Sequence, residues 1–226
     1  MRRAVLIAAS VLVAGCSSSV GGDAEKSSPS PAAPPSTSRT TPPPTSTVPA
    51  KPPVQGAPIG EVVKWIEAGS PADPGTFHVA TRDGATTDLG DDVAFVTPSG
   101  KTNCLTDAQY NGGALTCLVE LADPPPRPAD AEGEWKGGWI DYDGTTVQIG
   151  SLHGDPGPFV KGDGAQLPYG QALAFGDFRC RSDQTGLFCV NYAHQSAARF
   201  SDAGVEAFGC LQPAPAPPQI GKMFSC

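Results

Sequence analysis

The segment FRCRSDQTGLFCVN, residues 178–191, shows the pattern on which the fold depends. Cys180 and Cys189 lie on either side of residues 182–186, SDQTG, whose composition is typical of a tight turn. The run after this turn is short and apolar, as in a buried strand. We therefore predict a β-hairpin here, in which a disulfide could join the two strands.

Similar patterns recur along most of the chain. Short apolar or alternating runs are separated by Gly, Asp and Pro turns, and no tandem repeat at a fixed period is found. We predict a mainly β fold (β-rich α+β), an antiparallel sandwich or open barrel with short peripheral helices, cross-linked by disulfides. These runs lie at residues 77–80, 93–96, 115–119, 145–149 and 186–190.

Two short helices are expected at the edges of this domain. Residues 59–68, IGEVVKWIEA, place their apolar side chains mostly on one face and end at Gly69. Ser201 is expected to cap a second helix that reaches Phe208. Residues 123–128, DPPPRP, are expected to cross the surface, because proline is confined to the edges of sheets.

The first residues have the order of a bacterial export signal. In MRRAVLIAASVLVAGC, two arginines precede an apolar run, small residues and a cysteine. The apolar run is shorter than the roughly 20 residues that span a bilayer. Residues 13–16, VAGC, resemble the lipobox of bacterial lipoproteins, which implies cleavage after residue 15 and lipidation of Cys16. A plain signal peptide with a chance cysteine is the alternative.

This resemblance predicts the organisation and location of the chain. Residues 1–15 are the predicted signal peptide, and residues 16–58 are a lipidated, disordered tether rich in Pro, Ser and Thr. Residues 59–226 form a single β-rich domain, long enough to bury a core. The expected location is the extracytoplasmic face of the cell membrane. O-linked sugars on residues 17–58 are one reading of the tether, and a bare spacer is the other.

Seven cysteines are an odd number, and lipidation of Cys16 accounts for the odd one. The other six allow 15 pairings, among which the sequence does not choose rigorously. Their order suggests three local bridges. A zinc site is the alternative, disfavoured because no C-x-x-C occurs and because export favours oxidation. The suggested pairs are Cys104 with Cys117, Cys180 with Cys189, and Cys210 with Cys226.

The charge of the chain is acidic. Removal of the predicted signal peptide takes away Arg2 and Arg3, so 15 basic residues become 13, against 23 acidic ones, a formal charge of −10. Because nucleic-acid binding requires clustered Lys and Arg, nucleic acid is not an expected partner.

The three histidines give only a weak indication of chemistry. No two of His78, His153 and His194 have a spacing suited to one metal ion. His153 lies close to Ser151 and Asp155, but this is not the G-x-S-x-G pattern, and neighbours in sequence rarely form a triad. An ordinary glycine-rich loop is the favoured interpretation, with catalysis at His153 or His194 as the alternative.

Other motifs also favour structural roles. Residues 141–144, DYDG, lack the remaining ligands of a calcium loop and are interpreted as a turn. Trp135 and Trp139 could present their rings to a sugar or a protein, although tryptophans in such a pattern more often belong to the core. Nucleotide-binding patterns are absent. No catalytic residue, metal or cofactor is therefore predicted.

Residues 95–104, FVTPSGKTNC, resemble a family of secreted and lipid-anchored envelope proteins of mycobacteria and other actinobacteria. The family shares this TPSG stretch before a cysteine, followed by proline-rich, Leu-Pro-Tyr-Gly and paired-cysteine elements. Here these lie at residues 124–126, 167–170 and 178–191. The resemblance implies a cell-envelope location and a disulfide-bonded domain, and it makes sugars on the tether more plausible. It carries no assigned activity.

Three hypotheses for function follow. The first is a non-enzymatic envelope module that binds a ligand or partner, since an anchor, a tether and a stapled domain are predicted without convergent catalytic groups. The second is an envelope hydrolase that uses His153 or His194. The third is a carrier of an apolar envelope lipid, which requires an internal cavity of several hundred Å³.

Overall fold

The computed structural model describes residues 51–129, 131–153 and 156–226. The predicted signal peptide, the lipidation site at Cys16 and the tether before residue 51 lie outside the described residues. Within the described part, none of the helices combines the length and apolar character needed to cross a membrane.

Two β-sheets make up most of the regular secondary structure in the described residues, with two short α-helices, α1 (Ile59–Glu67) and α2 (Ala108–Asn111), and 3₁₀ turns at Pro74–Phe77 and Gly157–Lys161. The strands are β1 Ser70–Pro71, β2 Val79–Arg82, β3 Ala85–Asp88, β4 Ala94–Val96, β5 Thr102–Thr106, β6 Leu115–Val119, β7 Trp135–Tyr142, β8 Thr146–Leu152, β9 Asp163–Gln166, β10 Gln171–Phe175, β11 Phe178–Asp183, β12 Gly186–Asn191, β13 Ser196–Ser201, β14 Gly204–Gly209, β15 Gln212–Ala214 and β16 Lys222–Ser225.

The larger sheet has the order β15-β16-β8-β7-β6-β5-β4-β9-β2-β3, and the smaller has β1-β10-β11-β12-β13-β14. Most neighbouring strands are antiparallel, as predicted. Two pairs, β1 with β10 and β4 with β9, are parallel. Both join strands that are separated along the chain by several other strands, so a local sequence pattern cannot indicate these pairings.

The two sheets pack face to face, which confirms the prediction of a mainly β, disulfide-stapled fold. Tyr142 on β7 meets Phe178 on β11 and Phe200 on β13, with ring centroids 5.3 and 6.3 Å apart. These edge-on pairs add specific geometry to the burial of apolar area. The Tyr142 hydroxyl also lies 2.7 Å from Ser196 Oγ, so a buried hydrogen bond links the sheets.

Helix α1 covers the outer face of the smaller sheet, as its apolar face predicts. Val62, Trp65 and Ile66 are buried against a cluster on β12, β13 and β14. Arg181 on β11 donates to the carbonyl of Trp65 at 2.5 Å, and its guanidinium lies 3.9 Å from the centre of the Trp65 ring. A cation near the carboxyl end of a helix is favourable, so Arg181 helps to hold α1 in place.

The helix expected from Ser201 to Phe208 is wrong, because this segment is a hairpin. Strand β13 ends at Ser201 and β14 begins at Gly204. The Ser201 hydroxyl donates to the Gly204 carbonyl rather than to a helix end. Val205 and Ala207 pack on the core between the sheets, whereas Phe208 packs beneath α1. This alternation has the period of a strand.

The three disulfides have the pairing that the order of the cysteines suggested: Cys104–Cys117, Cys180–Cys189 and Cys210–Cys226. The first two join residues directly opposite each other on β5 and β6 and on β11 and β12, with Cα atoms 4.1 and 4.0 Å apart. The third closes the C-terminal segment. All six sulfurs are in disulfides, so they leave no thiolate for the zinc site that was the alternative.

Candidate functional site

Trp139 belongs to the core on the outer face of the larger sheet. Its side chain is 2% exposed, its ring stacks on His153 with centroids 3.5 Å apart, and Phe159 meets its edge at 5.3 Å. The indole Nε1 donates to Asp141 Oδ2 at 2.9 Å. The interpretation of Trp139 as a core residue is therefore correct.

Trp135 is partly buried and has a similar role. Its Nε1 donates to the Pro125 carbonyl at 3.1 Å. Its ring covers Gly150 so closely that a Cβ there would lie 2.6 Å from it. Pro124 lies equally close to Gly137, where a Cβ would be 2.8 Å from it. The proline-rich segment thus lies outside the sheets, as predicted, and it packs on glycines that leave room for it.

His153 is placed by packing. Besides its stacking on Trp139, its Nδ1 lies 3.4 Å from the hydroxyl of Tyr110. Asp155, its acidic neighbour in sequence, lies outside the described residues. The described contacts of His153 are thus those of an aromatic layer that covers Trp139.

Asp107 connects the two elements beside this layer, helix α2 and the 3₁₀ turn Gly157–Lys161. Its Oδ1 accepts from the backbone N–H groups of Gln109 and Tyr110, both at 3.0 Å, and so caps α2. Its Oδ2 lies 2.6 Å from Lys161 Nζ in the 3₁₀ turn Gly157–Lys161. Burial acts to raise the pKa of Asp107, but the hydrogen bonds from Lys161, Tyr110 and Gln109 outweigh it and lower the pKa below 3.8.

We expect Asp107→Asn to lower the free energy of unfolding by about 1 kcal/mol near neutral pH. Asparagine still caps the helix, so the loss is that of a charge-assisted bond to the partly exposed Lys161. Because the folded-state pKa of Asp107 is lowered, this stability is present above its unfolded pKa and disappears as the pH falls through the folded value. Urea unfolding of wild type and variant should therefore differ near neutral pH and converge in acid.

Lys161→Gln is the matched control. It should reproduce the loss near neutral pH, and the double variant should lose little more than either single one. A difference between wild type and Asp107→Asn that persists in acid would contradict the role of the charge.

His194 lies in a separate cleft of about 360 Å³, the acidic cleft, at one end of the sandwich. Asp91, Asp92, Asp143 and Asp177 also line it. No group of three or more His, Cys, Asp or Glu in the described residues is placed to hold a metal ion.

The carboxylate of Asp143, which lines this cleft, is hydrogen-bonded within its own turn. Its carboxylate accepts from the backbone and hydroxyl groups of Thr145 and Thr146. Burial opposes the ionised form, yet these four bonds outweigh it and lower the pKa of Asp143. The turn predicted at residues 141–144 is correct only for Asp143 and Gly144, because Asp141 and Tyr142 are the last residues of β7. His78 does not line the cleft itself, but its Nδ1 lies 2.8 Å from the carbonyl of Asp92, which does.

The opposite end of the sandwich carries a smaller polar pocket, which we call the Lys101 pocket, of about 110 Å³. Four turns meet there: residues 97–101, 167–170, 184–185 and 202–203. The side chains that line it include Ser99, Lys101, Tyr169, Gln184, Thr185 and Asp202. Two of these turns contain the TPSG and LPYG elements, which are 70 residues apart in the sequence.

Lys101 and Asp202 form an ion pair at the mouth of this pocket. Lys101 Nζ lies 2.6 Å from Asp202 Oδ2, and both side chains are 48% exposed. The hydrogen bond from Lys101 lowers the pKa of Asp202, and the bond to Asp202 raises the pKa of Lys101. Both groups therefore stay charged over a wide range of pH, and both remain accessible to a ligand.

The walls of the Lys101 pocket are preformed. Asp183 Oδ1 accepts from the N–H of Thr185 at 2.9 Å and from its hydroxyl at 2.7 Å, which fixes the hairpin turn. Thr97 Oγ1 lies 3.1 Å from Ser99 Oγ in the neighbouring turn. Tyr169 is 41% exposed, one of four large side chains with apolar surface that the described residues expose.

A second depression, the glycine groove, adjoins this pocket on the outer face of the larger sheet. It has about 460 Å³ of space, and Lys101 lines both. Gly137 and Gly138 form its floor, where a Cβ at Gly138 would lie 2.1 Å from the Val119 carbonyl. Glu120, Trp135 and Lys136 lie along its sides.

The sequence interpretation did not select Lys101, Tyr169 or Asp202. Turn residues that follow short strands were the available signal, but only the fold brings them together. Comparison of the chain with protein family models, with curated proteins and with solved structures found no match. Function therefore has to be inferred from the residues themselves.

Proposed function

We propose that the protein is a lipid-anchored, extracytoplasmic envelope module that binds an envelope component through the Lys101 pocket without catalysing a reaction on it. The observation that supports this most is the meeting of four preformed turns around an exposed ion pair and an exposed tyrosine. Sites that recognise ligands combine a few fixed polar groups with an aromatic contact surface.

The proposed location comes from the sequence. Lipidation of Cys16, cleavage after residue 15 and a tether to residue 58 would hold the domain outside the cytoplasm. The three disulfides support an oxidising compartment. Mass spectrometry of the mature N-terminus should find a diacylglyceryl cysteine at residue 16.

The alternatives receive less support. Packed side chains such as Phe95, Phe175 and Tyr142 fill the interior between the sheets, which does not favour a lipid carrier. The described surroundings of His153 are aromatic, and His194 is exposed at the acidic cleft. The hydroxyl of Ser196, two residues from His194, is instead bonded to the Tyr142 hydroxyl and the Gly144 carbonyl.

Sedimentation with cell walls tests the proposal. The full-length protein, kept in detergent, is mixed with delipidated walls from the organism that makes it, so that membrane anchoring makes no contribution. We expect the wild type to sediment with the walls and Tyr169→Ala to bind about ten-fold more weakly, because the aromatic contact is lost. If the wild type stays in solution, or if the variant binds equally well, the proposal fails.

Tyr110→Ala is the matched control. Tyr110 is also a large exposed aromatic residue, at 50%, but it lies in the aromatic layer over Trp139. Its removal should leave wall binding within about three-fold of wild type. Thermal unfolding of every variant checks that the fold is retained.

A further inference from the structure

We infer that the ligand of the Lys101 pocket is a carbohydrate chain, with one sugar residue in the pocket and the next along the glycine groove. This inference rests on the function proposed above. It follows from the exposed ring, the balance of charge in the pocket and the continuity of the two depressions.

Tyr169 offers a face on which a sugar ring can stack. An aromatic ring carries negative charge on its faces, and the C–H groups on one side of a pyranose ring are weakly positive. Such stacking also removes apolar area from water. Because Tyr169 is 41% exposed within a pocket otherwise rich in polar groups, it is the natural platform for that face.

The Lys101–Asp202 pair fits hydroxyl groups better than it fits a charged ligand. A hydroxyl both donates and accepts, so adjacent sugar hydroxyls can accept from Lys101 and donate to Asp202 without separating the ions, which lie 2.6 Å apart. A phosphate would compete with Asp202 for Lys101, and it would face a second carboxylate at Asp183. Thr185 and Gln184 supply further donors and acceptors.

The size of the site indicates an extended ligand. About 110 Å³ is less than the roughly 300–1,000 Å³ of pockets that enclose a whole small molecule. The adjoining glycine groove has about 460 Å³, and the two meet at the side chain of Lys101. A chain can therefore place one unit beside Tyr169 and continue past Lys101 along the glycine groove.

The test separates carbohydrate from protein in the same wall preparation. Delipidated walls are treated either with protease or with mild periodate, which cleaves the vicinal diols of sugars. We expect the full-length protein in detergent to bind protease-treated walls as well as untreated ones, and to bind periodate-treated walls about ten-fold less. Loss of binding after protease treatment, or binding that survives periodate treatment, would contradict a carbohydrate ligand but would leave the proposed wall-binding function standing. Absence of binding to untreated walls would overturn both.

Variants of one side chain make the test specific to the stacking contact. Tyr169→Phe keeps the ring and should retain most of the binding to protease-treated walls, whereas Tyr169→Ala should lose about ten-fold. Lys101→Met should also weaken binding, because the donor to the sugar hydroxyls is removed. Equal binding by Tyr169→Ala and Tyr169→Phe would contradict stacking on a sugar ring.

Discussion

Reduction of the three disulfides is expected to unfold the domain at room temperature. They close loops with sequence separations of 13, 9 and 16 residues, and the chain-entropy model gives about 3 kcal/mol for each. Together they contribute roughly 9 kcal/mol, which is comparable to the 5–15 kcal/mol net stability of a typical domain. Near-UV circular dichroism with and without a phosphine reductant in mild urea measures the effect.

Removing one disulfide at a time should distinguish the contribution of chain entropy to stability from the contribution of packing. Cys210 and Cys226 are exposed, so replacing both by alanine should cost about 3 kcal/mol, the entropic part alone. Cys180 and Cys189 are 0% exposed within the core, so the same change there should cost more, because buried sulfur contacts are also lost. A reduced chain that keeps its near-UV spectrum would show that the core suffices without the bridges.

Local features explain how much of the fold the sequence could predict. The hairpin around Cys180 and Cys189 was predictable because its strands, turn and cysteines all lie within residues 178–191. Helix α1 was predictable from the spacing of its apolar residues. The error at Ser201 has the same origin: Ser-Asp-Ala-Gly suits both a helix start and a hairpin turn, and only burial on both faces of β14 decides between them.

Long-range features explain what the sequence could not predict. The parallel pairing of β4 with β9 depends on how the chain returns after about 70 residues. The Lys101 pocket depends in the same way on turns that neighbour one another only in the folded chain. Lys101, Tyr169 and Asp202 are ordinary turn residues in sequence, and their proximity arises because strands of both sheets end at the same side of the sandwich.

Trp139→Ala is expected to lower the free energy of unfolding by about 3–5 kcal/mol, the usual cost of removing a large buried aromatic side chain. The ring fills the space between His153 and Phe159, and its Nε1 satisfies Asp141 Oδ2. The variant leaves both a cavity and a carboxylate oxygen that has lost its indole donor. Equilibrium urea unfolding, followed by far-UV circular dichroism, measures the loss.

Two variants divide this loss into its causes. Trp139→Phe keeps a ring against His153 but cannot donate to Asp141, so its cost should lie between those of wild type and Trp139→Ala. Trp135→Ala should cost less than Trp139→Ala, because Trp135 is only partly buried. Equal costs for the two tryptophans would contradict the distinction between a core ring and a ring at the side of the glycine groove. Such a result would also mean that packing at the proline-rich segment, where Trp135 donates to Pro125, contributes as much stability as the core around Trp139.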